Sequence, residues 1–319
     1  MASIIKITDL RKVYRVGDEK VVALDKIDLE IEQGIVCCIL GTSGSGKSTL
    51  LNQLAGLEKP TRGEVVVAGK RISKMTEKEL AVFRQQNIGF VFQSYNLLPG
   101  LTALENVALP LTFRGIGRRE RNRRAKKMLE QVGLSGRASH TPSEMSGGQQ
   151  QRVGIARAFV ANPSVVFADE PTGNLDTKTT REVMHLFLDF SRNKGTTIVL
   201  VTHDQALARY ADRIITIVDG NVVSDEPNDS LYEKEIAEGI YTPPQAEAES
   251  LSCPPFPERD NGFSCGKPSG QELSSGSPQD VPDGPPLAER GADFRDGVAE
   301  GAGPELSQET EESAALLSQ

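Results

Sequence analysis

The sequence predicts an α/β fold in which a parallel core sheet carries an N-terminal antiparallel β subdomain and an inserted α-helical subdomain. Three continuous apolar runs, at 34–40, 164–170 and 195–203, end in polar residues and are separated by segments of helical period. Such runs are typical of parallel strands that helices cover on both faces. The first fifty residues instead alternate apolar and polar side chains, which indicates antiparallel strands with one solvated face.

The N-terminal elements are a predicted hairpin and a further strand. IIKITDLRKVYRV and VVALDKIDLEIEQG alternate with period two around a GDEK turn, and GEVVVAGKRI at 63–72 predicts another strand with a turn. An insertion at about 94–162 follows, and its period is helical. Four of its apolar residues recur at i, i+3, i+4 and i+7 and form one helix face: Ala125, Met128, Leu129 and Val132. The insertion is therefore predicted to be a helical subdomain.

The charge of the chain is divided between two segments of different composition. The net charge is −8, but residues 1–224 carry 31 Lys and Arg against 23 Asp and Glu, whereas residues 225–319 carry 5 against 21. From about residue 242 the chain is rich in Pro, Gly, Ser and acids, with few residues able to form a core. We therefore expect 1–224 to form the folded domain and 225–319 to be a mostly disordered acidic tail, with a possible short helix at 229–238.

The sequence contains no pattern that predicts a membrane span or a secretory signal. No run approaches the roughly 18–20 apolar residues that span a bilayer, and the N-terminal segment lacks the pattern of a secretory signal. We therefore expect a cytoplasmic chain. The four cysteines have no metal-ligand spacing, and we expect free thiols in a reducing compartment: Cys37, Cys38, Cys253 and Cys265.

The segment GTSGSGKST, between an apolar strand and a leucine-rich helix, matches the phosphate-binding pattern G-x-x-x-x-G-K-[ST] in full. A glycine-rich turn lets consecutive backbone N–H groups point at phosphate oxygens, and the next helix N-terminus adds positive partial charge. We expect Lys47 to reach the β- and γ-phosphates and Ser48 to ligate Mg²⁺; an incidental Gly/Ser loop is the alternative. The predicted nucleotide-binding residues are Gly41, Thr42, Ser43, Gly44, Ser45, Gly46, Lys47, Ser48 and Thr49.

Polar residues also end two further predicted strands, and ligands of parallel sheets bind at the carboxyl ends of the strands. Asp169 and Glu170 end one strand, and His203 follows another. Asp169 is a predicted Mg²⁺ partner. Glu170, one residue beyond it, is the candidate general base for the attacking water. A solvated strand end is the alternative interpretation of this acidic pair.

One block of sequence resembles a known family. EMSGGQQQRVGIARAFVANPSVVFADEPTGNLD at 144–176 resembles the signature, Walker B motif and D-loop of the ATP-binding-cassette (ABC) family, and LVTHD at 200–204 resembles its switch histidine. The resemblance extends over essentially all of 1–224. It implies the P-loop NTPase fold of the ABC ATPases and an enzyme that hydrolyses ATP with Mg²⁺. The residues at 56–65 and 89–111 resemble those of the branch that serves lipoprotein release, macrolide and peptide efflux and cell division.

The resemblance assigns further roles to single residues. Tyr14 matches the aromatic residue that stacks on adenine, and Gln93 matches the residue that senses Mg²⁺ and water; a strand-face tyrosine and a polar strand end are the alternatives. His203 matches the histidine that bonds the γ-phosphate, and Asp176 matches the residue that links the two sites of the family's dimer. The signature residues, which contact ATP on the other subunit, are Ser146, Gly147, Gly148 and Gln149.

These signature residues begin a predicted helix, so one chain carries two phosphate-binding surfaces. The two surfaces need not face each other within a monomer, and we expect a head-to-tail homodimer that sandwiches two ATP molecules. Two residues depart from the family pattern: Met145 replaces the usual leucine and Gly154 the usual alanine. Neither change removes a group that catalysis needs.

Any transport would have to run through a separate integral membrane permease, because no membrane span is predicted in this sequence. We expect that permease to dock in the groove beside Gln93. The leading hypothesis is thus an ATPase subunit, peripheral on the inner face of the cell membrane, for export or mechanotransmission. The alternative is a soluble cassette that acts on ribosomes or DNA; the single cassette with a compact insertion argues against it, and no nucleic acid is expected. The basic run at 114–127 is either a solvated helix face or a contact for anionic lipid or the acidic tail.

Overall fold

Two sheets and eight α-helices make up the part of the chain that the computed structural model describes, residues 2–244. The strands are β1 (Ser3–Val16), β2 (Glu19–Glu32), β3 (Val36–Leu40), β4 (Arg62–Val67), β5 (Lys70–Arg71), β6 (Ile88–Phe92), β7 (Val165–Asp169), β8 (Thr197–Thr202), β9 (Arg213–Val218) and β10 (Asn221–Pro227). The helices are α1 (Lys47–Leu54), α2 (Glu77–Asn87), α3 (Ala103–Phe113), α4 (Arg118–Gln131), α5 (Gly147–Phe159), α6 (Thr177–Lys194), α7 (Gln205–Ala208) and α8 (Leu231–Ala237).

The larger sheet has the order β10-β9-β3-β8-β7-β6. All neighbours from β9 to β6 pair in parallel, and only β10 is antiparallel to β9. The three predicted buried strands are therefore adjacent, and their carboxyl ends lie at one edge, as the parallel-sheet prediction required. β3 and β7 are fully buried along most of their length, which is why they read as continuous apolar runs.

The smaller sheet is antiparallel, with the order β2-β1-β4-β5, and confirms the predicted N-terminal β subdomain. β1 and β2 form the long hairpin, and β4 pairs with the other edge of β1. One apolar cluster joins the inner face of this sheet to α1 and to the core sheet; Ile5, Leu24, Leu50 and Ile39 all belong to it. Burial of this shared core fixes the N-terminus of α1 against both sheets.

Three helices, α3, α4 and α5, lie within the predicted helical insertion. The four residues of the predicted apolar face of α4 are all buried, in a second cluster that also contains residues of α3, α5 and α6. Capping boxes begin α3 at Thr102 with Glu105 and α5 at Ser146 with Gln149, so the first backbone N–H groups of both helices have side-chain acceptors.

The packed chain extends beyond the expected domain boundary at residue 224. β10 continues to Pro227, and α8 falls inside the segment predicted as a short helix. Tyr232 of α8 is buried, and its hydroxyl donates to Asp189 of α6 at 2.7 Å. The reason for the difference is tertiary: apolar side chains of this acidic segment, Tyr232 among them, pack on the core cluster that contains α6, and polar contacts with α6 and with residues 209–212 add to that packing. The remainder of the predicted disordered tail, 245–319, lies outside the described residues.

Two further expectations concern membranes and thiols. None of the helices described between residues 2 and 244 combines the length and hydropathy that crossing a bilayer requires. Cys37 and Cys38 are free and buried on β3, where loss of hydration raises the pKa of both thiols. Cys253 and Cys265 lie outside the described residues.

Candidate functional site

The loop between β3 and α1 can take its shape only with glycine at two positions. A Cβ atom on Gly41 would lie 2.4 Å from the carbonyl oxygen of Ile217 and 2.6 Å from Ser45 Oγ. Gly46, the N-cap of α1, has φ of 103°, and a Cβ there would lie 2.7 Å from the carbonyl oxygen of Ala23. The backbone is thus pressed against its neighbours, which leaves its other side open for a ligand.

Lys47 and Ser45 give the loop its charge and an unused polar group. Lys47 is buried, and its Nζ donates to the carbonyl oxygen of Thr42 at 2.6 Å, so the ammonium group lies across the loop. The buried Ser45 Oγ has no hydrogen-bond partner among the described residues. Beneath them the first N–H groups of α1 have no partner within the helix. Together these donors and the positive charge suit a phosphate group.

Glu170 and His203 meet at the ends of two adjacent strands. Glu170 follows β7 with φ of 44°, a left-handed conformation that is uncommon for a residue with a side chain. Its backbone N–H donates to the carbonyl oxygen of Val201 at 2.9 Å. Its Oε1 lies 2.6 Å from His203 Nδ1, so the carboxylate accepts a hydrogen bond from the imidazole. Glu170 is mostly covered, whereas His203 is largely exposed.

Asp169, the last residue of β7, is in a different environment from Glu170. Withdrawal from water raises the pKa of Asp169, repulsion from Glu170 raises it further, and the charge of Lys47 opposes both effects. The proximity of Lys47 places this carboxyl beside the glycine-rich loop. A carboxylate at this position is available to a cation bound at the loop.

One cleft of about 790 Å³ joins the glycine-rich loop to Glu170 and His203, whereas Asp169 and Ser45 are not among its lining residues. Ten of the predicted site residues line it: Gly41, Thr42, Ser43, Gly44, Gly46, Lys47, Ser48, Thr49, Glu170 and His203. Sequence reasoning missed five other lining residues: Ala23, Leu40, Gln205, Thr216 and Val218. Gln205 could have been found from its position two residues after His203. Leu40 could also have been found, because it directly precedes Gly41. Thr216 and Val218 reach the cleft because β9 pairs with β3, where Thr216 lies opposite Leu40, and no local sequence signal indicates that.

Gln93 follows β6 and packs against the loop beyond Glu170. A Cβ atom on Gly173 would lie 2.7 Å from Gln93 Nε2, so the glycine leaves room for this amide. The carbonyl oxygen of Gln93 accepts a hydrogen bond from Asn174 Nδ2 at 3.1 Å. β6 and β7 pair so that Phe92 lies opposite Asp169, which brings Gln93 to the same edge of the sheet as the acidic pair.

The signature residues and Asp176 form a separate surface. Ser146 caps α5, accepting from the backbone N–H of Gln149 at 3.4 Å, and a Cβ on Gly148 would lie 2.6 Å from Thr179 Cγ2. Thr179 also bonds Asp176, the N-cap of α6, with Oγ1 donating at 2.6 Å. None of the residues Ser146, Gly147, Gly148, Gln149 and Asp176 lines the cleft. One chain therefore carries the loop and the signature on different surfaces.

Tyr14 lies near the cleft with several partners of its own. Its hydroxyl donates to Glu58 Oε2 at 2.7 Å, and Lys12 Nζ is 5.1 Å from the ring centroid. Burial, then the bond to Glu58, raises the pKa of this hydroxyl, and the neighbouring hydroxyl of Thr49 in the cleft opposes that rise. The structure thus places Tyr14 beside the glycine-rich loop between β3 and α1, and its stacking on adenine stays a prediction.

The residues present fit both ATP and Mg²⁺. The unpartnered Ser45 hydroxyl, the buried lysine and the glycine-lined loop match a polyphosphate, and the cleft volume is in the range of small-molecule sites. No group of three or more His, Cys, Asp or Glu side chains within 2–244 could enclose a metal ion. Mg²⁺ usually takes few protein ligands and completes its shell with water and phosphate oxygens, which the Ser48 and Asp169 pair would permit.

Comparison with known proteins agrees with this geometry. The ABC transporter family profile matches residues 24–173. The lipoprotein-releasing system ATP-binding protein LolD of Geobacter metallireducens is 45% identical over 225 residues, which cover 70% of this chain and 100% of LolD. The chain belongs to the ABC transporter ATP-binding proteins. The macrolide export ATP-binding/permease protein MacB of Rhodopirellula baltica is 49% identical over 223 residues, 69% of this chain but 33% of that longer protein.

A solved structure has the same fold. The dimeric, post-hydrolysis ATP-binding cassette MJ0796, bound to ADP and Pi, is 43% identical with a TM-score of 0.66, and the match covers 71% of this chain and 100% of that one. The expected ABC ATPase fold and the expected lipoprotein-release and macrolide-export branches are confirmed. As a cassette of this family, the chain is an ATP-binding, transport-associated ATPase, and the alternative of a cassette that acts on ribosomes or DNA is not supported.

Proposed function

We propose that this cassette is the ATP-hydrolysing subunit of an ABC transporter complex, in which two copies sandwich two ATP molecules and drive a separate membrane permease. The observation that supports this most directly is the meeting of Lys47, Glu170 and His203 in one cleft. Export and mechanotransmission are both compatible with such a subunit. Through its permease the chain would lie on the inner face of the membrane.

ATP hydrolysis would use both sides of the cleft, since the loop would bind the phosphates and Glu170 would activate the water. The backbone N–H groups of residues 41–49 and the Lys47 ammonium would hold the β- and γ-phosphates. Glu170 would accept the proton of the water whose oxygen bonds to the γ-phosphorus, while the bond to the β–γ bridging oxygen breaks. In this structure the His203 ring donates a hydrogen bond to Glu170. Because the ring is largely exposed, it would turn towards the γ-phosphate when ATP is present. Ser48, Asp169 and Gln93 would hold Mg²⁺, which neutralises phosphate charge when bound.

The dimer follows from the separation of the two surfaces. The signature group at Ser146 does not line the cleft of its own chain, although it begins a helix and can bind an anion. A head-to-tail pair would place it opposite the partner's phosphate loop. The Asp176 N-cap, which shares Thr179 with Gly148, would then lie at the dimer contact.

A groove beside Gln93 provides the proposed permease site. It has a volume of about 590 Å³ and lies between β6 with α2 on one side and α3 with α5 on the other. Its apolar lining includes Phe90, Phe92, Leu109 and Phe113, and 68% of Phe113 is exposed. An exposed aromatic ring in an apolar groove is typical of a protein-binding site.

The catalytic part is tested with Glu170→Gln. This variant keeps the phosphate loop but loses the base, so we expect ATP to bind and to shift the full chain to a dimer in light scattering, while turnover falls roughly 10²-fold or more. Glu226→Gln, at an exposed position on β10, is the matched control and should turn over normally. Ordinary turnover by Glu170→Gln would show that the base lies elsewhere.

The permease site is tested with Phe113→Asp. A charged side chain in the groove should sharply reduce the amount of full chain that copurifies with an integral membrane protein from solubilised membranes. Val223→Asp, on an exposed face of β10, is the control and should copurify as the unmodified chain does. Equal recovery of both variants would place the permease on another surface.

A further inference from the structure

The segment that follows Gln93 contains two consecutive residues in an unfavourable conformation. Tyr95 has φ of 60° and Asn96 has φ of 47°, both in the left-handed region. Non-glycine residues seldom adopt such a conformation, and they keep it where the surrounding structure enforces it. Since this segment leads from the core sheet to α3, whatever enforces its shape also sets the path of the chain beyond Gln93.

Arg157 of α5 supplies that restraint. Its Nη2 donates to the carbonyl oxygen of Tyr95 at 2.8 Å, and its Nη1 donates to that of Asn96 at 2.6 Å. The planar guanidinium presents its donors in a fixed fork, which suits two adjacent carbonyl groups better than a single ammonium could. The two left-handed residues are thus bound by one side chain of the helix whose first turn is the signature.

The next residues are fastened to α3 in the same way. Asn106 is fully buried; its Oδ1 accepts from the backbone N–H of Leu98 at 2.8 Å, and its Nδ2 lies 3.1 Å from the carbonyl oxygens of Leu98 and Leu101. Residues 95–101 therefore belong mechanically to the helical part of the fold. Gln93, by contrast, is bonded to Asn174 beyond β7. Only Ser94 lies between the two attachments.

Tyr95 itself reaches the signature. Its hydroxyl lies where a Cβ on Gly147 would be 2.7 Å away, so the tyrosine packs directly on the first turn of α5. Asn96 and Arg157 also line the groove described above as the permease site. One short segment thus contacts the signature, the groove and the residue next to Gln93.

We propose that Arg157 is a positioning residue that sets the geometry of Gln93 and of the signature together, by holding the carbonyl groups of Tyr95 and Asn96. The inference rests on the proposed function, because Gln93 would serve the ATP site of its own chain and Ser146 that of the partner. A permease segment in the groove would contact Asn96 and Arg157 and so reach both sites through one clamp. Arg157 touches neither substrate nor reacting atoms and acts through Gln93.

A double-mutant cycle in the full chain tests the coupling. Arg157→Met should lower kcat roughly 10- to 100-fold, since small misplacements of catalytic groups have effects of this size, while nucleotide affinity at the intact phosphate loop changes less than about twofold. Gln93→Ala should lower kcat similarly. If Arg157 acts through Gln93, the double variant should be no slower than the slower single variant. Multiplied losses, or an unchanged kcat in Arg157→Met, would overturn the proposal.

A matched control and a conservative variant separate positioning from general damage. Arg152→Met changes the same helix, but Arg152 bonds Glu182 at 2.9 Å instead, so its effect should multiply with that of Gln93→Ala. Arg157→Lys keeps the charge without the fork and should recover only part of kcat. If the effects of Arg157→Lys and Gln93→Ala on kcat multiplied fully in a folded protein, that result would also count against the clamp. This variant carries the test if Arg157→Met does not fold.

Amide hydrogen exchange gives a readout that does not depend on hydrolysis. Exchange at residues 95–98 should accelerate in Arg157→Met and not in Arg152→Met, because only the former releases the strained turn. Unchanged exchange at 95–98 would overturn the clamp even in an active enzyme. Absence of ATPase activity in the unmodified chain would instead contradict the proposed function and leave the exchange result to decide on the clamp.

Discussion

Glu170 and Asp169 are consecutive acidic residues whose backbone conformations place their carboxyl groups in different surroundings. The left-handed conformation of Glu170, with φ of 44°, turns its carboxylate to the cleft and to His203. Asp169 ends the strand and stays close to Lys47 and to the acidic neighbour. A strained residue of this kind is retained where function uses it, which supports Glu170 as the proposed base.

Asp169→Asn is expected to stabilise the ATP-free protein while it impairs catalysis. The folded-state pKa of Asp169 is raised, so the folded protein binds this proton more tightly than the unfolded chain does. Stability therefore falls as pH rises from the ordinary Asp pKa through the raised one, and at neutral pH the charged carboxylate is a net penalty. Removing it should raise Tm at pH 7, and the gain should shrink as pH is lowered towards 4.

Thermal unfolding without nucleotide or Mg²⁺ measures this difference. Asp229→Asn is the control, because the side chain of Asp229 is 91% exposed and its removal should leave Tm nearly unchanged at both pH values. A lower Tm for Asp169→Asn, or a gain that does not depend on pH, would contradict the assignment of Asp169 as a desolvated carboxylate kept for a cation.

Helix α5 is the element on which most of the proposed machinery depends. Its first turn holds the signature, and its later turns carry Gln151, which donates to the carbonyl oxygen of Pro171 next to Glu170, and Arg157. The helix thus connects the surface proposed to face a partner with the loop that contains Glu170, the proposed base. Gly154 lies in the middle of it, at the position where the family pattern has alanine.

Gly154→Ala should stabilise the fold by about 1 kcal/mol. A Cβ at this position would have its nearest neighbours at 3.9 Å, an ordinary contact, and alanine is the better helix former by about that amount. In a chain of this size the gain corresponds to a rise in Tm of about 2–4 °C. Gly148→Ala is the matched control, because its Cβ would meet Thr179 Cγ2 at 2.6 Å; an equal gain there would contradict the packing described.

At the scale of the whole molecule, two binding surfaces on one chain require a second copy. The cleft has no signature residue in its lining, and the signature group is capped and packed independently of it. Closed head-to-tail pairing gives each cleft one signature, so every site would contain residues of both chains.

Mixing two inactive variants tests this sharing. Lys47→Ala damages one half of each site and Ser146→Arg the other, so a mixed dimer holds one fully damaged and one intact site. Random pairing makes half of the dimers mixed, and each mixed dimer has one intact site of two. Activity should therefore recover to about a quarter of normal. Lys47→Ala mixed with Glu170→Gln damages the same half in both chains and should recover nothing. No recovery in the first mixture would contradict a shared site.

Features with local causes could be predicted from the order of the amino acids alone. Residues 41–49 are contiguous, so glycine spacing, the lysine and the hydroxyl groups could be read directly, and buried parallel strands are uniformly apolar because helices cover both faces. The four-residue face of α4 followed from helical period alone. The predicted site residues Asp169, Glu170 and His203 were also found from their positions at the ends of such strands.

The contacts between distant segments depend on the packing of the whole fold and had no local signal. Strand pairing brought Thr216 opposite Leu40 and so into the cleft, and the packing of α8 on the core cluster that contains α6 carried the fold past residue 224. The bond between Glu170 and His203 and the clamp of Arg157 on Tyr95 join residues 33 and 62 positions apart. Periodicity reports which face of an element is buried, but not what covers it, because that depends on packing among all the elements at once.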